Sequence, residues 1–185
     1  MFTGVVLAGG ASKRMGTDKA RLRLADGSTL LQQACAVLQR AGAAEVLVSG
    51  QGAGGIADRR PGIGPLGGID AVLDGVKSTH LLVIPVDMPR LPPRLLQGLA
   101  TEAGGQTSRC FARFALPALL SVQQLREGAL QAILDLGEAR KRSVHALLDA
   151  LRCERLPISD ADAALLVNLN TRQDWQGFQE HSHVA

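Results

Sequence analysis

The chain has no tyrosine, one tryptophan and four phenylalanines in 185 residues. That scarcity argues against a ring platform for stacking single-stranded bases. A large excess of charge of one sign is also absent. Twenty Lys and Arg against 17 Asp and Glu leave a formal +3. The resulting mildly basic pI of about 9.1 suits a small anionic partner rather than nucleic acid. The three cysteines, Cys35, Cys110 and Cys153, lie far apart without paired spacing, so neither a zinc site nor a disulfide framework is indicated. No apolar run approaches the roughly 20 residues of a membrane span. Met1 to Gly10 lacks a basic leader and is too rich in glycine for a signal peptide. These absences predict a soluble cytoplasmic protein that engages neither membrane nor nucleic acid. The four histidines form no set with a serine, a cysteine or an acid that would support nucleophilic catalysis.

What the chain does have is apolar segments of two kinds. FTGVVLAG, HLLVIPVD and EVLVSG read as strands, the first two apolar almost throughout, as buried parallel strands are. TLLQQACAVLQRAG carries Leu30, Ala34, Val37, Leu38 and Ala41 at helical spacing. Thr29 and Gln32 form a capping box at its start, and Gly42 stops it. GPLGGIDAVLDGV reads as a second helix. Strand, helix, strand, helix, strand with short connections predicts an α/β fold: a doubly wound, mostly parallel sheet with helices on both faces. Ligands in such folds bind beyond the carboxyl ends of the strands.

In the second half, LPPRLLQGLATEAG, VQQLREGALQAILDLG and SVHALLDALR read as helices, and RCFARFALPALLSV as one or two strands broken by Pro117. CERLPI and ALLVNLN read as further strands, and TRQDWQGFQE as a closing helix capped by Thr171.

The first strand opens into LAGGASKRMGTDKA. This is no Walker loop, because Gly16 is followed by Thr17 and Asp18 instead of Lys and Ser or Thr. Gly50 to Gly55 match GxGxxG, yet the prolines and glycines of IADRRPGIG prevent the helix that a dinucleotide fingerprint requires. Leu7, Ala8, Gly9 and Gly10 give the first loop a bare main chain that can approach a base and ribose closely. Arg14 and Lys19 reach toward phosphates. Lys13 and Arg21 read as solvated, and Asp18 has no evident role.

A phosphate site of this kind needs a divalent cation held by oxygen. Asp87, after the apolar VIPV and ahead of Pro89, should emerge at the carboxyl edge of the third strand. Asp58 is a second acid with two readings, nucleotide contact or a place on a mobile loop. Asn168 and Asn170 alternate with Val167 and Leu169, so they either share one strand face as a pair of ligand amides or lead into the helix from Thr171. Arg140, Lys141 and Arg142 read either as a second anion site or as a solvated face.

Four segments, in order, resemble one family. LAGGASKRMGTDKA resembles the signature of the nucleotidyltransferases that complete the molybdenum cofactor: LAGG, a few variable residues, RMG, a short spacer and DK. GPLGGI is similar to their GPLAG, VDMPRLP to their CDxPxLP and NLNT to their NxNT, over residues 4 to 175. The resemblance implies one nucleotidyltransferase domain over residues 1–185, with about 1–90 on the nucleotide side and about 91–180 on the acceptor side. It implies GTP and molybdopterin as substrates, Mg²⁺ as cofactor, and molybdoenzymes or cofactor-handling proteins as partners. By position it implies that Leu7, Ala8, Gly9, Gly10, Ser49 and Asp58 meet the nucleotide and Lys19 its phosphates. Asp87 takes the metal, and Asn168 and Asn170 meet the acceptor. Arg14 lies in the matching RMG and joins Lys19 and Asp87 as a catalytic group. Ser49 stands where the family often has Asn, and Gly67 where it has Ala. LAGG favours a guanine nucleotide, whereas cytidylyl relatives tend to read LAAG. A CTP-dependent enzyme, a GTP-binding adaptor without catalysis and a sugar-phosphate nucleotidyltransferase remain the alternatives.

Overall fold

A computed structural model describes residues 1–9, 18–52, 54–101, 106–138 and 141–182. Its centre is a six-stranded sheet built from β1 (Phe2–Leu7), β2 (Glu45–Ser49), β3 (His80–Pro85), β4 (Arg109–Phe111), β5 (Ala118–Ser121) and β6 (Glu154–Leu156), in the order β2-β1-β3-β5-β4-β6. β1 lies parallel to both β2 and β3, and β4 parallel to β6, while β5 runs against β3 and β4. The sheet is therefore mostly parallel with one reversed strand, the second half of the segment broken at Pro117.

The strands alternate their side chains between two cores, as the two-residue period of an extended chain requires. Val5, Leu7, Leu81 and Val83 face one core with Leu66, Ile69 and Val72 of α2 (Pro65–Leu73) and Leu147 and Leu148 of α6 (Val144–Ala150). Phe2, Val6, Leu82 and Ile84 face the other, against α1 (Leu30–Arg40) and α3 (Pro93–Ala100). Both faces of the sheet are thus covered, as expected. The capping box at the start of α1 is formed, with Thr29 Oγ1 accepting from Gln32 N–H and Gln32 Oε1 from Thr29 N–H.

Two expectations fail. The segment 122–134 is one helix by pattern but divides into α4 (Val122–Gln124), a π turn at Leu125–Ala129 and α5 (Leu130–Leu134). Gly128 breaks it, at φ 111°, a backbone conformation that glycine adopts without penalty. ALLVNLN is not a strand. Ser159 caps a short α7 (Asp160–Ala163) through Asp162 N–H, and the chain then crosses the carboxyl end of β3. Leu165 N–H and Leu166 N–H close the end of that helix on Asp162 and Ala163 C=O, and the crossing segment then bonds to the turn after β3 through Leu169 N–H to Asp87 C=O (2.9 Å). The closing helix is α8 (Arg172–Ser182). No helix among the described residues is long and apolar enough to cross a membrane.

Candidate active site

The carboxyl ends of β2, β1 and β3 form one edge, and nearly every candidate residue comes to it. At the β1 tip Leu7 turns its side chain into the core and its C=O accepts from Val86 N–H (3.2 Å), while Ala8 N–H donates to Ser49 C=O (2.8 Å). β1 is thereby tied to both neighbours just before the chain leaves the sheet at Gly9.

Behind Gly9 the loop after β2 curls back on its own strand. Gly50 N–H donates to Ile56 C=O (2.9 Å) and Ile56 N–H to Val48 C=O (2.8 Å). This return delivers Asp58 to the β1 tip, so the loop reading of Asp58 gives way to a fixed place. Ser49 Oγ donates to Asp58 Oδ1 (3.5 Å), and a side chain on Gly9 would stand 4.0 Å from the same oxygen. Space here is limited by two glycines. A Cβ on Gly50, which sits at φ 144°, would meet Gly9 N at 2.9 Å, and one on Gly68 would meet Ser49 Oγ at 2.3 Å. At Gly67 the nearest atoms would be 3.4 Å away, ordinary contact, so the alanine usual in the family at this position is sterically admissible.

The second group gathers at the β3 tip. Lys19 stands in a 3-10 turn, Lys19–Arg21, whose N-cap is Asp18: its carboxylate accepts from Ala20 N–H (3.0 Å) and pairs with Arg21 (3.5 Å). Asp18 thus has a local task that the sequence did not disclose, and buried Ala20 anchors the turn in the core. From this turn Lys19 Nζ donates to Asp87 Oδ2 (2.7 Å) and to Asn170 Oδ1 (3.2 Å). Both members of the ion pair are largely enclosed, with side chains 16% and 13% exposed. Such a pair is weakly screened by solvent.

Two oxygens beside this pair are buried without a hydrogen-bond partner among the described residues, Asp87 Oδ1 and Asn168 Oδ1. A buried orphaned acceptor costs on the order of 1–3 kcal/mol. Orphans in native folds mark strain, chemistry or an absent ligand.

Asn168 and Asn170 do not share a strand face. Asn168 is half-buried and Asn170 is exposed, with Leu169 buried between them. Asn170 is held by α8: Asp174 Oδ2 accepts from Asn170 N–H and Thr171 N–H (2.8 Å each), and Thr171 Oγ1 accepts from Asp174 N–H (3.1 Å). The Thr171 and Asn170 amides, largest first, hold the Asp174 carboxyl below the usual carboxylate range. Thr171 caps the helix as expected. The acid three residues later completes the box and fixes Asn170, and its signal in the sequence is the T-x-x-D spacing from Thr171 to Asp174.

Gly10 and Arg14 lie outside the described residues, as do Lys13 and Arg140. Lys141 of the basic run pairs with Glu138 (2.9 Å), which favours the solvated reading for that residue. Among the described residues no three His, Cys, Asp or Glu side chains gather to hold a metal. A single carboxylate with an open, buried oxygen nevertheless fits Mg²⁺, which is typically held by one or two carboxylates together with substrate phosphates.

Residues 4–156 match the MobA-like NTP transferase domain. The chain is 42% identical to a molybdenum cofactor guanylyltransferase of Xanthomonas euvesicatoria over 94% of this chain and 92% of that one. It is 34% identical to a probable molybdenum cofactor guanylyltransferase of Chloroflexus aggregans, over 94% and 91%. Among solved structures, molybdopterin-guanine dinucleotide biosynthesis protein A from Archaeoglobus fulgidus superposes with a TM-score of 0.76 over 99% of this chain and all of that one, at 21% identity. The 2-C-methyl-D-erythritol 4-phosphate cytidylyltransferase of Thermus thermophilus gives 0.68 over the full length of both chains, at 19%. At such identities the structures attest the fold alone.

Proposed function

The chain belongs to the MobA-like NTP transferase domain family, and on that premise we propose that it transfers GMP from GTP to molybdopterin cofactor, releasing pyrophosphate and forming the guanine dinucleotide. The observation that most supports this reading is Asp87: one carboxylate oxygen on Lys19 and the other buried and open, at the strand tip between the β1 loop and the asparagine segment. A GTP-binding adaptor without catalysis would have no use for a buried acid there.

The proposed roles follow the edge of the sheet. Ala8, Gly9, Ser49 and Asp58 receive the nucleoside at the β1 and β2 tips, with Leu7 shaping the loop from beneath and Gly10 continuing it. Lys19 and Arg14 balance charge on the triphosphate. Asp87 would hold Mg²⁺ through Oδ1, and the ion, when bound, supplies charge neutralisation for the phosphates. Asn168 and Asn170 face the acceptor. Its terminal phosphate oxygen bonds to the α-phosphorus of GTP as the bond to the pyrophosphate oxygen breaks in line. That nucleophile is already anionic, so no general base is needed, and Lys19 acts by position and charge. In this one-domain reading about residues 1–90 serve the nucleotide and about 91–180 the acceptor. We place the reaction in the cytoplasm, since three free thiols suit a reducing compartment. A recipient molybdoenzyme or a cofactor-handling protein takes the product.

Pyrophosphate release measured with GTP and with CTP, each with and without molybdopterin, tests the reading. Release with GTP that depends on both acceptor and Mg²⁺ is expected. Equal or faster release with CTP would replace GMP transfer by CMP transfer, and no release with either nucleotide would leave the adaptor reading.

A further inference from the structure

The Lys19 ammonium is poorly secured by its own element. It ends a four-carbon stem on a three-residue turn, and two oxygens from outside that turn hold it, Asp87 Oδ2 (2.7 Å) and Asn170 Oδ1 (3.2 Å). A flexible ammonium is aimed only as well as its acceptors are placed. Asp87 is buried and follows β3 by two residues, so the sheet sets its position. Asn170 is exposed and belongs to neither strand nor helix, so its position has to come from elsewhere.

We propose, on the premise of the reaction above, that Asp174 is a positioning residue for Lys19. Its carboxylate fixes the main chain at Asn170, and Asn170 Oδ1 then aims the ammonium at the reacting phosphates.

The hydrogen bonds run in that order. Asp174 Oδ2 accepts from Asn170 N–H and Thr171 N–H (2.8 Å each), and Asp174 N–H returns a bond to Thr171 Oγ1 (3.1 Å). One oxygen joining two successive amides fixes the peptide on which the Asn170 side chain stands, and an ionised acceptor makes both bonds stronger than a neutral one would. Asp174 itself makes no bond to Lys19 among the described residues, so it acts through Asn170. The Lys19 charge nevertheless reaches it. After the Thr171 and Asn170 amides and the Thr171 hydroxyl, that charge helps to hold the Asp174 carboxyl below the usual range.

The start of α8 gives Asp174 a firm base. Leu169 N–H donates to Asp87 C=O (2.9 Å) just ahead of the helix. Trp175 packs against the core and stacks on Phe178 with ring centres 5.8 Å apart. Arg90, from the turn after Asp87, lies 5.5 Å from the centre of the Phe178 ring on its guanidinium carbon. α8 is thereby tied to the turn that presents Asp87, so the two acceptors of Lys19 keep a set separation.

Turnover at saturating acceptor and Tm are measured for the wild type, Asp174→Ala, Asp174→Asn, Lys19→Ala and the double variant carrying Lys19→Ala and Asp174→Ala. Saturation takes any loss of acceptor affinity through Asn170 out of the reading. Asp174→Ala should lower kcat roughly tenfold, inside the 10²-fold that a displaced catalytic group can cost. Asp174→Asn keeps an oxygen able to accept both amides and should recover most of that loss. In the Lys19→Ala background Asp174→Ala should cost nothing further, because the ammonium it positions is already gone. A fall in Tm with kcat intact would reduce Asp174 to a helix cap. A loss that persists in the Lys19→Ala background, or that Asp174→Asn fails to recover, would equally overturn the assignment. If the wild type transfers nothing, the proposed reaction falls and crystal structures of the wild type and the two Asp174 variants decide the positioning. Lys19 Nζ should stay within hydrogen-bond reach of Asn170 Oδ1 in the wild type and Asp174→Asn and leave it in Asp174→Ala; the same contact in all three, or none in the wild type, would overturn it.

Discussion

The two ends of the sheet are built on opposite rules. At the amino end, buried polar groups satisfy one another. Thr3 Oγ1 donates to Glu45 Oε1 and lies 3.0 Å from Ser78 Oγ. Ser108 Oγ accepts from Ser121 N–H and donates to Gln124 Oε1, and Ser121 Oγ accepts from Gln124 N–H. Arg126 closes the C-terminal end of α2 from the same side, donating to Leu73 C=O and Val76 C=O. At the carboxyl end Asp87 and Asn168 each keep a buried oxygen unpaired. Closed networks add rigidity and need nothing further. Open ones cost stability until a ligand completes them. The difference predicts that substitutions at one end will show in activity and at the other in stability.

The largest departure should come at the open end. Asp87→Ala and Lys19→Ala each remove a charge aimed at the reacting phosphates, and each should cost about 10²–10³ in turnover, the usual loss for one preorganised electrostatic contact. Stability should hardly change in Asp87→Ala, whereas Lys19→Ala leaves an enclosed carboxylate unpaired and should lower Tm as well. Asp87 already carries an unsatisfied oxygen, and its loss relieves that cost while breaking one ion pair. Turnover by pyrophosphate release and Tm by thermal melting check the two halves. Near-normal turnover in both variants would remove the site assignment, and a collapse of Tm in Asp87→Ala would erase the contrast between the ends.

The parts of this edge that were legible in the sequence are those set by local pattern. Asp87 after an uninterrupted apolar strand, the bare LAGG after another, and the Thr29 box are read from neighbours along the chain. Asp58 was ambiguous because its place depends on the 50–56 loop pairing back onto β2, a contact that spacing does not reveal. VNLN misled because alternating apolar residues imitate a strand, whereas the helix capped by Ser159 and the turn that ends it at Leu165 and Leu166 take up the first half of the segment. The reversed direction of β5 was hidden for a related reason. Ala118–Ser121 is short and wholly buried, which suits either direction. The turn that orients Lys19 was likewise invisible, since Asp18 acts there as a cap and the sequence displays it only as one more charge.

The closed end offers the middle-sized effect. Thr3 is fully buried and bonded to two partners, so Thr3→Val leaves Ser78 and Glu45 without it at nearly constant shape. A loss of about 1–3 kcal/mol is expected for a buried hydrogen-bonded group. Each 1 kcal/mol corresponds to roughly 2–4 °C in Tm for a chain of this size. Turnover measured well below Tm should match the wild type. A turnover loss comparable to that of Lys19→Ala, without a fall in Tm, would show that the two ends are coupled and that the contrast fails.

The smallest effect sharpens the comparison, because it concerns the one imperfect member of the closed end. His80 begins β3, is buried, and has Nδ1 3.1 Å from Thr79 Oγ1 and Nε2 without a hydrogen-bond partner among the described residues. Burial, chiefly, lowers its pKa, helped by the positive charges of the amino terminus and Arg109, while the Thr107 main chain acts in the opposite sense. The folded state therefore takes up this proton less readily than the unfolded chain, whose histidine titrates near about 6.5. Stability from His80 is fully present above that value and is lost as pH falls below it toward the lower folded pKa. Thermal melts from pH 8 down to about 5 should show a decline starting near 6.5 that His80→Asn flattens. The decline should be small beside the effect of Thr3→Val. If His80→Asn leaves the decline unchanged, the titrating group lies elsewhere, and the amino end is as closed as its other hydrogen bonds make it.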